Sequence, residues 1–326
     1  MSAKAPMPRT GPVEPVTRAD IENAAARIGP YIRRTPVMEV DAEALGLPVW
    51  LKLEFLQHSG SFKSRPAFSR MLAGEIAAGS GVIAASGGNF GLGVAYAAKT
   101  LGHPAEIFVP DTTPEVKPNR MRELGATVRI VPGYYANALE ASMERAETTG
   151  ALLLHAYDQP EVVAGDGTIG MEISEQVPDA DTVLVAVGGA GLIGGIAGWF
   201  ADEVRVIGVE PERCPSLHEA LRAGRPVDVE VGGIAADSLG AARVGEHGFA
   251  SARRYVDLVV LVSDEHIRAA QGLLWERLRI LAEPGAAAAV AAITSGAYRP
   301  EPGERVVVLI CGANFDPSAL TSSRRA

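Results

Sequence analysis

Thr182-Val183-Leu184-Val185-Ala186-Val187-Gly188-Gly189-Ala190-Gly191-Leu192-Ile193-Gly194 is the stretch whose reading decides the fold. Its first six residues form an apolar, β-branched run without alternation, the pattern of a strand buried on both faces. Four small residues follow, and then an apolar segment to about Trp199 that reads as a buried helix. No charged residue occurs from Thr182 to Ala201, and that length would suit a membrane span. The six glycines inside it, and the acids Asp181 and Asp202 that close it, fit strand, turn and buried helix better.

The alternation continues on both sides. Upstream, Thr17-Arg18-Ala19-Asp20 is a capping-box pattern whose helix is expected to run to about Arg34, before Pro36. A strand over 49–55 leads to His58-Ser59-Gly60-Ser61-Phe62-Lys63-Ser64-Arg65, and a helix is expected over 66–76. Strand 82–85 enters Ser86-Gly87-Gly88-Asn89-Phe90-Gly91, followed by a helix over 92–101. Next come strand 105–109, a helix capped by Thr113 and ending at Gly125, strand 127–131, helix 136–148, strand 152–155 and helix 160–176. After the opening unit follow strand 204–209, a polar loop region over 211–251, and strand 258–262. A helix capped by Ser263, another from Pro284, and strand 305–310 ending in Cys311-Gly312-Ala313-Asn314 complete the order. Strand–helix alternation of this kind implies parallel sheets with helices on their faces. The expected class is α/β, as two open twisted parallel-sheet domains flanking a cleft. The expected division is a flexible tail at 1–15, a large domain from 16–78 and 158–326, and a small domain at 79–157.

Bulk properties narrow the function. The chain has 326 residues, 47% hydrophobic and 21% charged, with a net charge of -9. Its mean hydropathy is +0.12, enough apolar material for a substantial core. The negative balance argues against a nucleic-acid or anionic-membrane surface. Cys214 and Cys311 are the two cysteines and lack metal-type spacing, so a reducing cytoplasm is the expected location. The Pro-rich start has no apolar core of a signal peptide.

Three loops sit at the carboxyl ends of predicted strands, where open parallel sheets bind ligands. The Gly188–Gly191 turn opens a helix, so its backbone N–H groups and the helix dipole favour a phosphate. The same stretch also satisfies G-x-G-x-x-G over 189–194, and Glu210 ends the next strand as a ribose-binding acid would. A nicotinamide dehydrogenase therefore competes on local grounds, although it leaves the Lys63 loop and the Asn89 loop without a role. The Ser86–Gly91 loop offers a hydroxyl, an amide and N–H groups to a carboxylate or a ring hydroxyl. Cys311 could act as a small buried hydrophobe or serve a neutral acceptor such as a ring nitrogen. Lysines are scarce: Lys4, Lys52, Lys63, Lys99 and Lys117. Lys4 is in the tail, Lys52 lies on an alternating strand, and Lys99 and Lys117 read as ordinary polar helix positions. Lys63 stands at a helix entrance, where the positive end of the dipole lowers an amine's pKa and leaves more neutral nucleophile. If any lysine forms a Schiff base, it is Lys63. The six histidines show no ligand spacing.

Taken together, these segments resemble the fold type II pyridoxal-phosphate enzymes (tryptophan synthase β-like), most closely the threonine/serine dehydratases. The resemblance runs from about Val16 to Asp316. It is carried by Ile32-Arg33-Arg34-Thr35-Pro36, Leu53-Glu54-Phe55-Leu56-Gln57-His58-Ser59-Gly60-Ser61-Phe62-Lys63 and Ala85-Ser86-Gly87-Gly88-Asn89. Ala164-Gly165-Asp166-Gly167-Thr168-Ile169-Gly170, the Gly188–Leu192 loop, Ala282-Glu283-Pro284-Gly285-Ala286-Ala287 and Cys311-Gly312-Ala313-Asn314 follow in the family's order. The resemblance implies pyridoxal 5'-phosphate held by Lys63 as a Schiff base, with Phe62 and Glu283 also at the cofactor. Asn89 would bond the ring hydroxyl. The N–H groups of Gly188, Gly189, Ala190, Gly191 and Leu192 would cradle the phosphate, and Cys311 would face the pyridine nitrogen. Ser86, Gly87 and Asn89 would hold the carboxylate of a small amino-acid substrate. Lys63 would remove the Cα proton, and loss of the β-hydroxyl would end in a 2-oxo acid and ammonia.

Departures from the pattern sharpen the expectation. Related serine racemases carry a serine where this chain has Gly87, which favours a lyase over an isomerase here. Phe90 replaces a frequent histidine, Ala190 a frequent glycine, and Asp237-Ser238-Leu239 stands where Asp-Gly is common. The family's cation site would use Glu210, the Cys214 carbonyl and a carboxylate at the position of Ser216, so a divalent or monovalent cation site would be incomplete. Racemisation, β-replacement, dehydration of an unusual 3-hydroxy amino acid, and a non-catalytic vitamin-B6 binder are the other readings. A homodimer is the family's usual arrangement.

Overall fold

The computed structural model describes residues 13–316. The expected tail at 1–15 therefore lies mostly outside the described residues. Ten strands occur among the described residues: β1 (Val37–Val40), β2 (Val49–Lys52), β3 (Val82–Ala85), β4 (Ala105–Pro110), β5 (Thr127–Val131), β6 (Leu152–Leu154), β7 (Thr182–Ala186), β8 (Arg205–Pro211), β9 (Leu258–Val262) and β10 (Val306–Leu309). Six make one sheet in the order β1-β2-β10-β7-β8-β9, and four make a second in the order β5-β4-β3-β6. All pairings are parallel except β1 with β2. The four-stranded sheet draws all its strands from within the span 79–157.

The opening stretch behaves as its composition requires. β7 is buried along its whole length. It lies between β8 and β10, with Val183 opposite Val206 on one side and Val307 on the other. A strand covered on both faces has no solvent side on which to place polar residues. The helix Pro284–Thr294 supplies part of that cover with a run of fully buried alanines, Ala286 to Ala289, against β7 and β8. No helix among the described residues is long and apolar enough to cross a membrane.

Several expected elements are corrected. The Thr17–Asp20 capping box forms, but its helix ends at Ile28 rather than near Arg34 and gives way to a 3-10 turn over Gly29–Tyr31. Pro30 lacks the N–H and the backbone freedom to continue an α-helix there. β1 has no counterpart among the expected elements; it is a short edge strand after Pro36 that pairs back on β2. The expected strand 49–55 stops at Lys52 and becomes a 3-10 turn over Glu54–Leu56. Thr113 does not cap a helix, because the next one spans Val116–Glu123 with Glu115 at its N-cap. The polar region 211–251 is not a loop but holds helices Ser216–Ala223, Ala236–Leu239 and Glu246–Tyr255. The third of these packs so closely on helix Gly191–Phe200 that a Cβ at Gly194 would stand 2.7 Å from the Gly248 carbonyl oxygen. Short helices of mixed polarity become stable once one face is covered, a gain that is invisible in the segment alone.

Candidate active site

Lys63 is delivered by a tightly tied turn. Ser59, at φ 63°, and Gly60, at φ 76°, reverse the chain in left-handed backbone. A Cβ on Gly60 would also stand 2.7 Å from the Asn314 Oδ1, so glycine is required twice over. Ser61 bridges Gly312, the Phe62 N–H donates to the Cys311 carbonyl at 3.0 Å, and the Ala313 N–H donates to the Gly60 carbonyl at 3.0 Å. The lysine turn and the cysteine turn, 248 positions apart in sequence, are thus one unit.

Lys63 itself is the N-cap of helix Ser64–Ala73, which places Pro66 at the third helical position rather than the first. Its Nζ donates to the Ala156 carbonyl at 2.7 Å and lies over the rings of Phe62 and Phe90, 4.7 and 5.6 Å from their centroids. The residue keeps some accessible surface while its amine is enclosed. Burial holds the amine below the usual lysine range, and the neighbouring Asp166 and Cys311 oppose that shift only in part. The direction matches the sequence reading, but desolvation rather than the helix end is the largest cause.

Beneath the lysine lies a buried ionic cluster. Arg65 is fully enclosed and grips Glu54 with two donors, Nε to Oε2 at 2.9 Å and Nη2 to Oε1 at 2.7 Å. Its Nη1 reaches Glu172 at 2.8 Å and the Thr168 hydroxyl at 3.2 Å. Lys52, expected to be an ordinary strand lysine, is also fully buried and bonds Glu172, the Gln176 amide oxygen at 2.8 Å and the Thr35 carbonyl at 2.8 Å. Lys117 departs from expectation too: it is 8% exposed and pairs with Asp237 across the cleft. Neither departure was visible in sequence, since each partner lies about 120 positions away.

The glycine turn presents donors and turns its acceptors aside. The Gly188 carbonyl accepts from the Ser216 hydroxyl at 2.9 Å, and the Gly189 carbonyl from the Gly245 N–H at 3.0 Å. The N–H groups at the head of helix Gly191–Phe200 have no preceding turn to bond. Ala190 is the N-cap at φ 66°, a left-handed backbone that favours glycine. The Tyr157 ring and the Asp166 carboxyl close the turn from one side. A Cβ on Gly189 would stand 2.2 Å from the Tyr157 ring, and one on Gly191 3.2 Å from the Asp166 Oδ2.

Opposite the turn, Asn89 starts helix Asn89–Leu101. Its Nδ2 donates to the Glu283 Oε1 at 2.6 Å, and its Oδ1 accepts from the Asn314 Nδ2 at 2.8 Å. The Arg120 Nη1 donates in turn to the Asn314 Oδ1 at 3.1 Å. Burial pushes the Glu283 carboxyl up to about 7, against the Asn89 bond. The Cys311 thiol, buried at 4% exposure, is pushed well above its ordinary value by desolvation and stays protonated. In the Ser86 loop, the Gly88 N–H donates to the Ser86 hydroxyl at 3.2 Å. A Cβ on Gly87 would lie 2.4 Å from the Thr113 Oγ1, so Thr113 occupies the space that a larger residue there would need.

Lys63, Phe62, Asn89, Glu283 and Cys311 are thus brought into one neighbourhood, with the glycine turn linked to Lys63 through Asp166. Glu210 is placed otherwise. Its carboxylate is fully buried and accepts from the Leu217 N–H at 2.7 Å, the His218 N–H at 2.8 Å and the Ser216 hydroxyl at 3.2 Å. It therefore caps helix Ser216–Ala223 and has no reach toward a ribose, which removes the support for a nicotinamide fingerprint at 189–194. No group of three or more potential metal ligands occurs among the described residues. Sequence reasoning missed the roles of Ala156, Thr113, Tyr157, Asp166 and Arg120. The Asp166 carboxyl inside an otherwise small, apolar helix segment was the one local signal.

The comparisons with known proteins agree with this geometry. The family profile described as "Pyridoxal-phosphate dependent enzyme" matches residues 28–312. An L-threonine ammonia-lyase of Thermotoga maritima is 38% identical over 311 residues, 94% of this chain and 77% of that protein. A phenylserine dehydratase of Ralstonia pickettii is 37% identical over 306 residues, 92% of this chain and 94% of that one. Among solved structures, maize serine racemase superposes with a TM-score of 0.88 at 30% identity, covering 95% of this chain and 97% of its own. A threonine deaminase of T.th. does so with a TM-score of 0.86 at 36% identity, covering 92% and 99%. The groups in this site suit the family's cofactor: an enclosed amine of lowered pKa for an aldehyde, a helix head for a phosphate, and a protonated thiol for a ring nitrogen. With the family profile spanning Ile28 to Gly312, and so both sheets and every loop of the site, the chain belongs to the pyridoxal-phosphate dependent enzymes.

Proposed function

We propose that this protein is an ammonia-lyase that converts a β-hydroxy amino acid, with L-threonine and L-serine as first substrates, to a 2-oxo acid and ammonia. The observation that carries the reading is the enclosed Lys63 amine, held by the Ala156 carbonyl and facing a loop in which Gly87 offers no second acid or base. When bound, pyridoxal phosphate supplies an electron-accepting ring that acidifies the Cα–H of an amino acid joined to it. Lys63 would hold the cofactor and, as a free amine, would take the Cα proton on Nζ, whose pKa burial lowers from the usual lysine range. The N–H groups of Gly188, Gly189, Ala190, Gly191 and Leu192 would hold the phosphate, and Phe62 would flank the ring. Asn89, fixed by Glu283 and Asn314, would meet the ring hydroxyl. Ser86, Gly87 and Asn89 bind the substrate carboxylate. The neutral Cys311 thiol would face the ring nitrogen and would leave the ring a weaker electron sink than a carboxylate partner would. That favours prompt loss of the β-hydroxyl.

Relatives named for threonine and for phenylserine differ in the β-substituent and share the 3-hydroxy-2-amino core. A panel of L-threonine, L-serine and phenylserine, assayed for 2-oxo acid and ammonia, ranks them. Borohydride reduction followed by peptide mapping should place the cofactor on Lys63. Formation of D-serine without pyruvate would replace the lyase reading with a racemase. We also propose a cytoplasmic homodimer, on the family's usual arrangement and the sparse cysteine content. Light scattering at the mass of a single chain would count against the dimer.

A further inference from the structure

We propose that Asp166 is a positioning residue that carries a proton beside the Gly188–Gly191 turn, and that its neutral carboxyl is the form compatible with cofactor phosphate. The inference rests on the family's cofactor and concerns a side chain that the reaction scheme above leaves unused.

Asp166 lies in helix Pro160–Gln176, where this helix packs against the helix that follows the glycine turn. It is fully buried, and neither carboxyl oxygen has a hydrogen-bond partner. A Cβ on Gly191 would meet its Oδ2 at 3.2 Å, so the carboxyl borders the first helical residue after the turn. The surrounding elements offer it no counter-ion within hydrogen-bond contact. Helix Gly191–Phe200 has no charged side chain, and helix Arg18–Ile28 packs on this region through Ile21 and Ala24. Helix Glu246–Tyr255 meets the turn through Gly248. Arg65 is already engaged by Glu54, Glu172 and Thr168, and the Lys63 amine by Ala156. Tyr157, with its hydroxyl pushed up to about 12, is neutral across the physiological range. His155 is held below the ordinary histidine range by burial.

An unpartnered buried carboxylate is one of the least favourable arrangements in a protein interior. A phosphate at the adjoining helix head would repel it further, whereas a neutral carboxyl has an O–H to donate. Burial pushes the group up to about 7, while Lys63 and Arg65 favour ionisation and Glu54 opposes it. The site is therefore poised so that an arriving phosphate promotes proton uptake, and by linkage a rising pH weakens phosphate binding.

The test is the dissociation constant of pyridoxamine 5'-phosphate, which lacks the aldehyde and leaves Lys63 unconsumed, measured from pH 6 to 9 on apoprotein. Wild type and Asp166→Asn are compared, since asparagine keeps the shape and a donor but cannot ionise. The expected result is a wild-type to variant ratio of dissociation constants that is flat below neutrality and climbs toward about tenfold per pH unit above it. A ratio independent of pH would overturn the proposal. A variant that binds more tightly by the same factor throughout would also overturn it, since Asp166 would then be a carboxylate at every pH. Infrared spectra of wild-type holoenzyme with isotope-labelled aspartate give a reading that needs no variant. A protonated carboxyl band at pH 7 is expected, and its absence would refute the idea.

Discussion

Replacing Arg65 by methionine should expose how the cofactor-lysine turn is supported. The guanidinium and the Glu54 carboxylate are both fully buried, and four donor contacts between 2.7 and 3.2 Å join Arg65 to Glu54, Glu172 and Thr168. The Glu54 charge also holds the guanidinium above its already high ordinary value. Methionine fills most of the volume but leaves Glu54 buried with only the Thr35 hydroxyl as a side-chain partner. Breaking a buried pair in this one-sided way costs about 3–5 kcal/mol, because a charge is left uncompensated. Removing both charges is far less costly, so E54Q/R65M should recover a large part of that loss. The assay is urea unfolding of apoprotein for wild type, R65M, E54Q and the double variant, closed as a double-mutant cycle. R65M should also lower cofactor occupancy, since Lys63 lies two residues away. A loss below about 1 kcal/mol in R65M, or a double variant as unstable as the sum of the singles, would refute the reasoning.

Other expectations follow from the same geometry. K63A should lose the borohydride-fixed chromophore and at least about a hundredfold in elimination rate, measured with exogenous amine as a control for rescue. Glu210, pushed up to about 7 from 4.5 mainly by burial, keeps in the folded state a proton that the unfolded chain has lost in between. Its contribution to stability therefore falls as pH rises through that window, by up to about 1.4 kcal/mol per unit. E210Q should gain on wild type across the same window, and a stability difference that stays constant from pH 5 to 7 would argue against the assignment. Gly87→Ser should be poorly tolerated, by about 1–3 kcal/mol, because its Cβ meets Thr113. G87S/T113G should restore folding, and chiral chromatography of its serine products shows whether a second face has been opened.

The sequence alone determined the α/β class with its parallel sheets, the β7 unit, and the Lys63, Asn89 and glycine-turn motifs. It could do so because these features are local. A doubly covered strand must be apolar along its length, and a helix entered through glycines needs small residues in a row. Tertiary structure decided what depends on distant partners. Lys52 and Lys117 look like ordinary polar positions until Glu172 and Asp237 are folded against them. The lowered pKa of Lys63 comes chiefly from enclosure, which no neighbour in sequence supplies. Helices within 211–251 read as loop because distant groups stabilise them: Glu210 caps Ser216–Ala223, Ala236–Leu239 packs on helix Pro284–Thr294, and Glu246–Tyr255 packs on helix Gly191–Phe200. Asp166 marks the boundary between the two: its place in the motif was legible, but its isolation from every partner exists only once the helices close around it.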